Sequence, residues 1–235
     1  MKIRLIGDVH GKFHAYLERI KDAEYSIQLG DFGFAKHWYS LVTNKVNPYN
    51  HKIIPGNHDD YKGLREQYTF GKGYGEVEFN GFKFFFVRGA WSIDWSWRIP
   101  GVSWWEEEQL SYNELMDAIA DYERVKPDIM LTHECPRIGI EQIFKKEFIN
   151  DGTGNRTSTA LNQMFEIHKP KIWFYGHWHM SRVDNLLGCE FVCLDELDHI
   201  DYEIEDGIGN DIDWNIVKIK EQIRKIYNKR KPLRW

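Results

Sequence analysis

The chain has 235 residues, 42% hydrophobic and 29% charged, with a formal net charge of −5. These values suit one substantial domain over residues 1–235 and exclude an overall basic field for nucleic acid, while leaving room for a local basic groove. Cys135, Cys189 and Cys193 have no CxxC spacing, and no apolar run is long enough for a signal peptide or a membrane span, so a cytoplasmic protein with buried thiols and no membrane contact is expected.

In chain order, short apolar runs recur and each stops at a Gly or polar cluster. "KIRLIG" precedes "DVHG", "YSIQLG" precedes "DFG", and "HKIIPG" precedes "NHDD". Further on, "PDIMLT" precedes "HEC" and "KIWFYG" precedes "HWH". Runs of this length, rich in Ile, Leu, Phe and Tyr, read as buried strands. Helical periodicity falls between them in "FHAYLERIKD", in "EEEQLSYNELMDAIADYERV" with its acidic first turn, and in "TSTALNQMFEIHK" with Thr157 or Ser158 as N-cap. "EVEFNGFKFFFV" predicts a hairpin at Asn80-Gly81, and "SRVDNLLGCEFVCLD" a second strand pair turning near Leu187-Gly188. Residues 215–235 read as a basic helix and tail ending before Pro232, docked by its Ile face. Strands and helices alternating in this way predict an α/β domain.

Five predicted strands end in Asp, Asn or His: Asp8 and His10, Asp31, Asn57 and His58, His133, then His177 and His179. In α/β sheets the ligand crevice lies beyond the carboxyl ends of the strands, where such loops converge. Carboxylate, imidazole and amide donors without thiolate suit Mn²⁺, Fe or Zn²⁺, and their number is too large for one tetrahedral ion. Two ions clamping a phosphate, with a water made acidic between them, would use them all. Gly7, Gly11, Gly30, Gly33, Gly56 and Gly176 flank these residues where loops must turn sharply.

The blocks "GDVHG", "GDFG", "GNHD", "THE" and "GHWH", in this order from Gly7 to His179, resemble those of the calcineurin-like metallophosphoesterases. The resemblance implies a four-layer α-β-β-α sandwich with two mixed sheets. It also implies two divalent ions, Mn²⁺ foremost and Fe, Zn²⁺ or Ni²⁺ compatible. Asp8, His10 and His179 would hold the first ion, Asn57, His133 and His177 the second, and Asp31 would bridge. The implied reaction is hydrolysis of a phosphate ester by a metal-bridging hydroxide, with His58 as general acid. An imidazole in that role needs a carboxylate to orient it, and Asp59 and Asp60 are the candidates. The second block lacks the Asp-Arg pair of the serine/threonine protein phosphatases, and Asp59 stands where they carry Glu. Both departures point towards phosphodiesterases, nucleases and small-molecule phosphatases, and the small one-domain form fits a bacterium or a phage-infected host.

Without that Arg, Arg98 of the loop "GAWSIDWSWRIPG" is the candidate for gripping phosphate. Trp91, Trp95 and Trp97 would cover the sheet or wall the pocket, and His37 and Trp38 lie close in sequence to Asp31. Glu134 and Cys135 are expected to be structural. "NDGTGNRTST" lacks the Lys-Ser/Thr of a phosphate-cradling P-loop and reads as a loop leading into a helix. Two rival readings are a metal-dependent nuclease and a catalytically silent binding scaffold. A complete set of ligand-competent residues argues against the second.

Overall fold

A computed structural model describes residues 1–33, 45–63, 66–79, 82–146, 155–204 and 212–230. The Asn80-Gly81 turn, His37, Trp38 and the first half of "NDGTGNRTST" (150–154) lie outside these residues.

The first sheet contains β1 (Lys2–Ile6), β2 (Tyr25–Gln28), β3 (His51–Ile53) and β10 (His199–Glu203), in the order β10-β1-β2-β3. Its first three strands are parallel, and β10 runs antiparallel to β1. The second sheet contains β4 (Tyr74–Phe79), β5 (Phe82–Val87), β6 (Ile129–Thr132), β7 (Ile172–Tyr175), β8 (Arg182–Leu186) and β9 (Cys189–Cys193), ordered β4-β5-β6-β7-β9-β8. A parallel centre, β5-β6-β7-β9, is flanked by antiparallel strands at both edges.

The period-2 alternation of strands explains the layering. Phe84, Phe86, Ile129, Leu131, Ile172 and Phe174 face Ile3, Leu5, Ile27 and Leu29 of the first sheet in a shared core. The intervening residues Phe85, Val87, Met130, Trp173 and Tyr175 point the other way. There they meet α2 (Tyr112–Val125), α3 (Arg137–Gln142) and α4 (Arg156–Ile167). On the outer face of the first sheet, Ile6 and Ile53 pack with Phe13, Tyr16 and Ile20 of α1 (Phe13–Ile20). The result is helix, sheet, sheet and helix in four layers, with both sheets mixed. The last helix, α5 (Ile212–Arg230), inserts Ile219 and Ile223 into the inter-sheet core. No helix among the described residues is long and apolar enough to cross a membrane.

Two local expectations are corrected, and one strand is added. The helix after the Trp-rich loop does not begin in the acidic run; Glu106–Glu108 is a separate 3-10 turn. Ser111 caps α2 instead, its hydroxyl accepting from the Glu114 amide while the Glu114 side chain reaches back, a capping box. The cap of α4 is Asn155 rather than Thr157 or Ser158, its Oδ1 accepting from the Ser158 amide. Strand β10, with buried Ile200 and Tyr202 between half-buried polar residues, was not anticipated.

Candidate metal centre

β1, β2 and β3 of one sheet and β6 and β7 of the other release their carboxyl ends into one crevice. The loops are tied to each other by backbone bonds: Val9 and His10 amides donate to the Asp31 carbonyl, and the Gly176 amide donates to that of His133. Four of the candidate ligands, His10, Asp31, His177 and His179, have positive φ, between 46° and 65°. This left-handed backbone costs non-glycine residues energy and persists where the surroundings over-determine it, as at functional sites. Close packing sets the neighbouring glycines too. A Cβ on Gly30 would collide with the His133 ring, and one on Gly176 with Asp8 Oδ1.

Donor atoms converge in two groups. In the first, His10 Nε2 lies 3.2 Å from His179 Nε2 and 3.5 Å from Asp8 Oδ2, and His179 Nε2 lies 3.2 Å from Asp8 Oδ2. Asp8 is fully buried; its Oδ1 accepts from the His177 amide, while Oδ2 has no hydrogen-bond partner. A buried carboxylate oxygen without a hydrogen bond, beside two imidazole nitrogens, fits a cation position.

In the second group, His133 Nε2 lies 3.2 Å from both Asp31 Oδ1 and Asn57 Oδ1, and His177 completes a cluster with Asp31 and His133. His133 Nδ1 donates to the Leu29 carbonyl at 2.7 Å, which turns Nε2 inward. Asp31 belongs to both groups, with Oδ2 3.8 Å from His10 Nε2. The structure thus brings all seven sequence candidates together.

Burial opposes the ionised form of Asp31, yet the His133 charge and its hydrogen bond hold that carboxyl far below its usual range. Burial likewise pulls His133 down, but Asp31 and Asp8 carry it up to about 10. Two buried carboxylates concentrate positive charge here, as a divalent-ion site requires.

His58 stands on the His10 side of Asp31, Nε2 4.0 Å from Asp31 Oδ2, in a cluster with His10 and Asp31. Burial pushes it down to about 4, with Asp31 opposing and Arg98 assisting. The Arg98 nitrogens Nη1 and Nη2 lie 2.9 and 3.0 Å from Nδ1 and Nε2 of this ring. A neutral imidazole has one acceptor nitrogen, so one of these contacts is a hydrogen bond and the other an apposition.

Asp59 does not orient His58, and this expectation is corrected. Its Oδ1 accepts from the Gly33 amide and its Oδ2 from that of Gly56, clamping two ligand-bearing loops. Burial and Asp31 raise its carboxyl to about 7. Asp60 accepts from the Lys62 and Gly63 amides and does not orient His58 either.

Beside the donor groups lies a cavity of about 480 Å³ whose walls include Trp91, Ile93, Arg98, Ile140, Lys146 and Trp178. Trp178, between the two histidines of "HWH", stacks on Phe144 at 4.0 Å and donates from Nε1 to Glu134 Oε1. Glu134 also accepts from the Cys135 amide and Asn155 Nδ2, and Cys135 is buried with its thiol pushed far up, first by burial. Trp97 points out, 90% exposed. Sequence reasoning missed Ser92 and Glu108, both buried: Asn57 Nδ2 donates to Ser92 Oγ, which donates to Glu108 Oε2.

No curated protein matches the chain by sequence. Among solved structures, it superposes on a putative 5′-nucleotidase from Staphylococcus aureus with a TM-score of 0.54 at 13% identity, covering 95% of this chain and 58% of that one. It therefore spans less than two thirds of that protein's length. The phosphopantetheinyl hydrolase of Mycobacterium tuberculosis aligns with a TM-score of 0.51 at 13% identity, over 99% and 93% of the two chains. These likenesses concern the fold. The sequence model described as calcineurin-like phosphoesterase matches residues 1–181, more than half of the sequence, and the chain belongs to that family of metal-dependent phosphate-ester hydrolases.

Proposed function

We propose that this enzyme hydrolyses small or extended phosphate mono- or diesters at a two-ion centre. Asp8, His10 and His179 hold one ion, Asn57, His133 and His177 the other, and Asp31 serves both. One observation carries this reading: the two oxygens of Asp31 face two separate donor groups, Oδ2 towards His10 and Oδ1 towards His133. Mixed O and N donors without sulfur favour Mn²⁺, with Fe, Zn²⁺ and Ni²⁺ as competitors. Two such ions, when bound, neutralise phosphate charge and make a water between them more acidic.

The protein's own groups then act on the ester. Arg98, tethered to Asp94 through Nε at 2.7 Å, presents its remaining donors to a phosphate oxygen. His58 delivers a proton from Nε2 to the departing oxygen. A phosphate anion beside the ring opposes the burial cost that keeps it neutral, so His58 acquires its proton as substrate arrives. Trp91 and Trp178 wall the organic part of the substrate.

The test is Asp8→Ala and His177→Ala, assayed on p-nitrophenyl phosphate and its bis ester with Mn²⁺. Both variants should lose activity; unchanged hydrolysis would sink the assignment. A polynucleotide substrate is favoured by one feature, the outward Trp97 next to Arg98 in the chain, because exposed aromatics stack on bases. A substrate panel with 5′-nucleotides, phosphopantetheinyl esters, phosphopeptides, single-stranded DNA and RNA decides between the two. Failure to cut any polynucleotide removes the nuclease reading.

A further inference from the structure

We infer that Ser92 and Glu108 are positioning residues that orient the Asn57 amide, linking the second ion to the base of the Trp-rich loop. The inference rests on the two-ion reading above.

The argument starts from directions of donation. Glu108 is 2% exposed, with Oε1 accepting from the Ser92 amide at 2.9 Å and Oε2 from the Ser92 hydroxyl at 2.6 Å. A carboxylate only accepts, so the hydroxyl hydrogen of Ser92 is committed to it. What Ser92 Oγ then offers Asn57, 3.0 Å away, is a lone pair, and only the Nδ2 end of the amide can use it. Oδ1 must therefore face His133 and the crevice, where an oxygen is needed to hold a cation. Asn carries a donor and an acceptor of nearly equal size, and without such a relay its amide can turn a nitrogen towards the ion. Groups of this kind behind a metal ligand typically influence affinity by about 10- to 100-fold.

The same contacts close the loop on itself. Ser92 and Glu108 lie 16 residues apart and bracket the segment that carries Arg98 and Trp97. The segment that lines the substrate cavity and the ligand of the second ion thus share one anchor.

Titrating metal-free protein with Mn²⁺ by calorimetry, with metal content checked after dialysis, tests the relay. Wild type should take up two ions. Ser92→Ala should weaken one of them by about 10- to 100-fold and leave the other within about twofold. Glu108→Gln should act in the same direction, because a Gln side chain has one accepting end and cannot serve both the Ser92 amide and its hydroxyl. Two undisturbed ions in Ser92→Ala, or two ions weakened equally, overturn the inference. A wild type that binds fewer than two ions overturns the two-ion reading itself, and the relay with it. Should the variants fail to fold, a crystal structure of Zn²⁺-loaded wild type decides. Asn57 Nδ2 within hydrogen-bond distance of Ser92 Oγ supports the relay, and a separation beyond 3.5 Å overturns it.

Discussion

Arg98 and His58, 40 residues apart in sequence, face each other at the mouth of the metal crevice with Nη1–Nδ1 and Nη2–Nε2 separations of 2.9 and 3.0 Å. Asp94 fixes the guanidinium from the other side, and Nη1 also donates to the Ser103 carbonyl. A planar fork held this way is set to grip a phosphate oxygen, and Lys has the charge without the fork. Arg98→Ala should reduce kcat/KM on p-nitrophenyl phosphate by about 10- to 100-fold, equivalent to a charged hydrogen bond of roughly 1.5–3 kcal/mol. Arg98→Lys should recover only part of it, and metal content should stay at the wild-type level. Steady-state kinetics alongside metal analysis reads both, and an unchanged kcat/KM removes Arg98 from the site.

His58 is close enough to Asp31 to be mistaken for a ligand. If its role is proton delivery, His58→Ala retains both ions and loses about 10²- to 10⁴-fold in kcat on an alkyl phosphate. The loss should be much smaller on p-nitrophenyl phosphate, whose leaving group needs little protonation. Metal content that falls together with activity would make His58 a ligand instead.

Asp31 is the residue on which the pairing of ions depends. An Asn in its place has one oxygen and cannot face both donor groups as acceptor. Asp31→Asn should weaken both ions in a Mn²⁺ titration, whereas His179→Ala should weaken one. If Asp31→Asn weakens only one ion, Asp31 does not bridge.

The catalytic end of the fold was legible because function and architecture coincide there. Five of the parallel strands are compact apolar runs that end at a polar ligand, four of them through a glycine (Gly7, Gly30, Gly56 and Gly176), so Asp8, Asp31, Asn57, His133 and His177 stood out. Strand β10 was not, because "HIDYE" alternates on a half-covered edge and forms no apolar run. The start of α2 was misread from the acidic residues 106–108, although Ser111 and Glu114 carry the capping-box spacing that marks it. Ser92 and Glu108 had no local signal at all. Glu108 sits among exposed glutamates, and its burial results from tertiary contacts made after the loop closes.

The β1–β10 pairing also makes an acid-sensitive clasp. Arg4 and Asp201 are register partners, and the nearly buried guanidinium of Arg4 donates from Nε and Nη2 to the two Asp201 oxygens at 2.7 and 3.1 Å. Burial raises the Asp201 carboxyl, but the Arg4 bonds and charge, with help from Lys2, hold it below its ordinary value. A carboxyl whose folded pKa is depressed stabilises the fold fully above its unfolded pKa, near 3.9, and that contribution fades as pH falls through the folded value. Asp201→Asn should therefore lower the Tm at pH 7, by about 2–4 °C for each kcal/mol lost, with roughly 1–3 kcal/mol at stake in a charged hydrogen bond. Below about pH 4 the variant and wild type should converge, because the wild-type carboxyl is then becoming neutral as well. Melts recorded with EDTA from pH 7 down to 3 keep metal release from entering the comparison. A Tm difference that stayed constant across that range would show that packing, and not the Asp201 charge, holds β10 against β1.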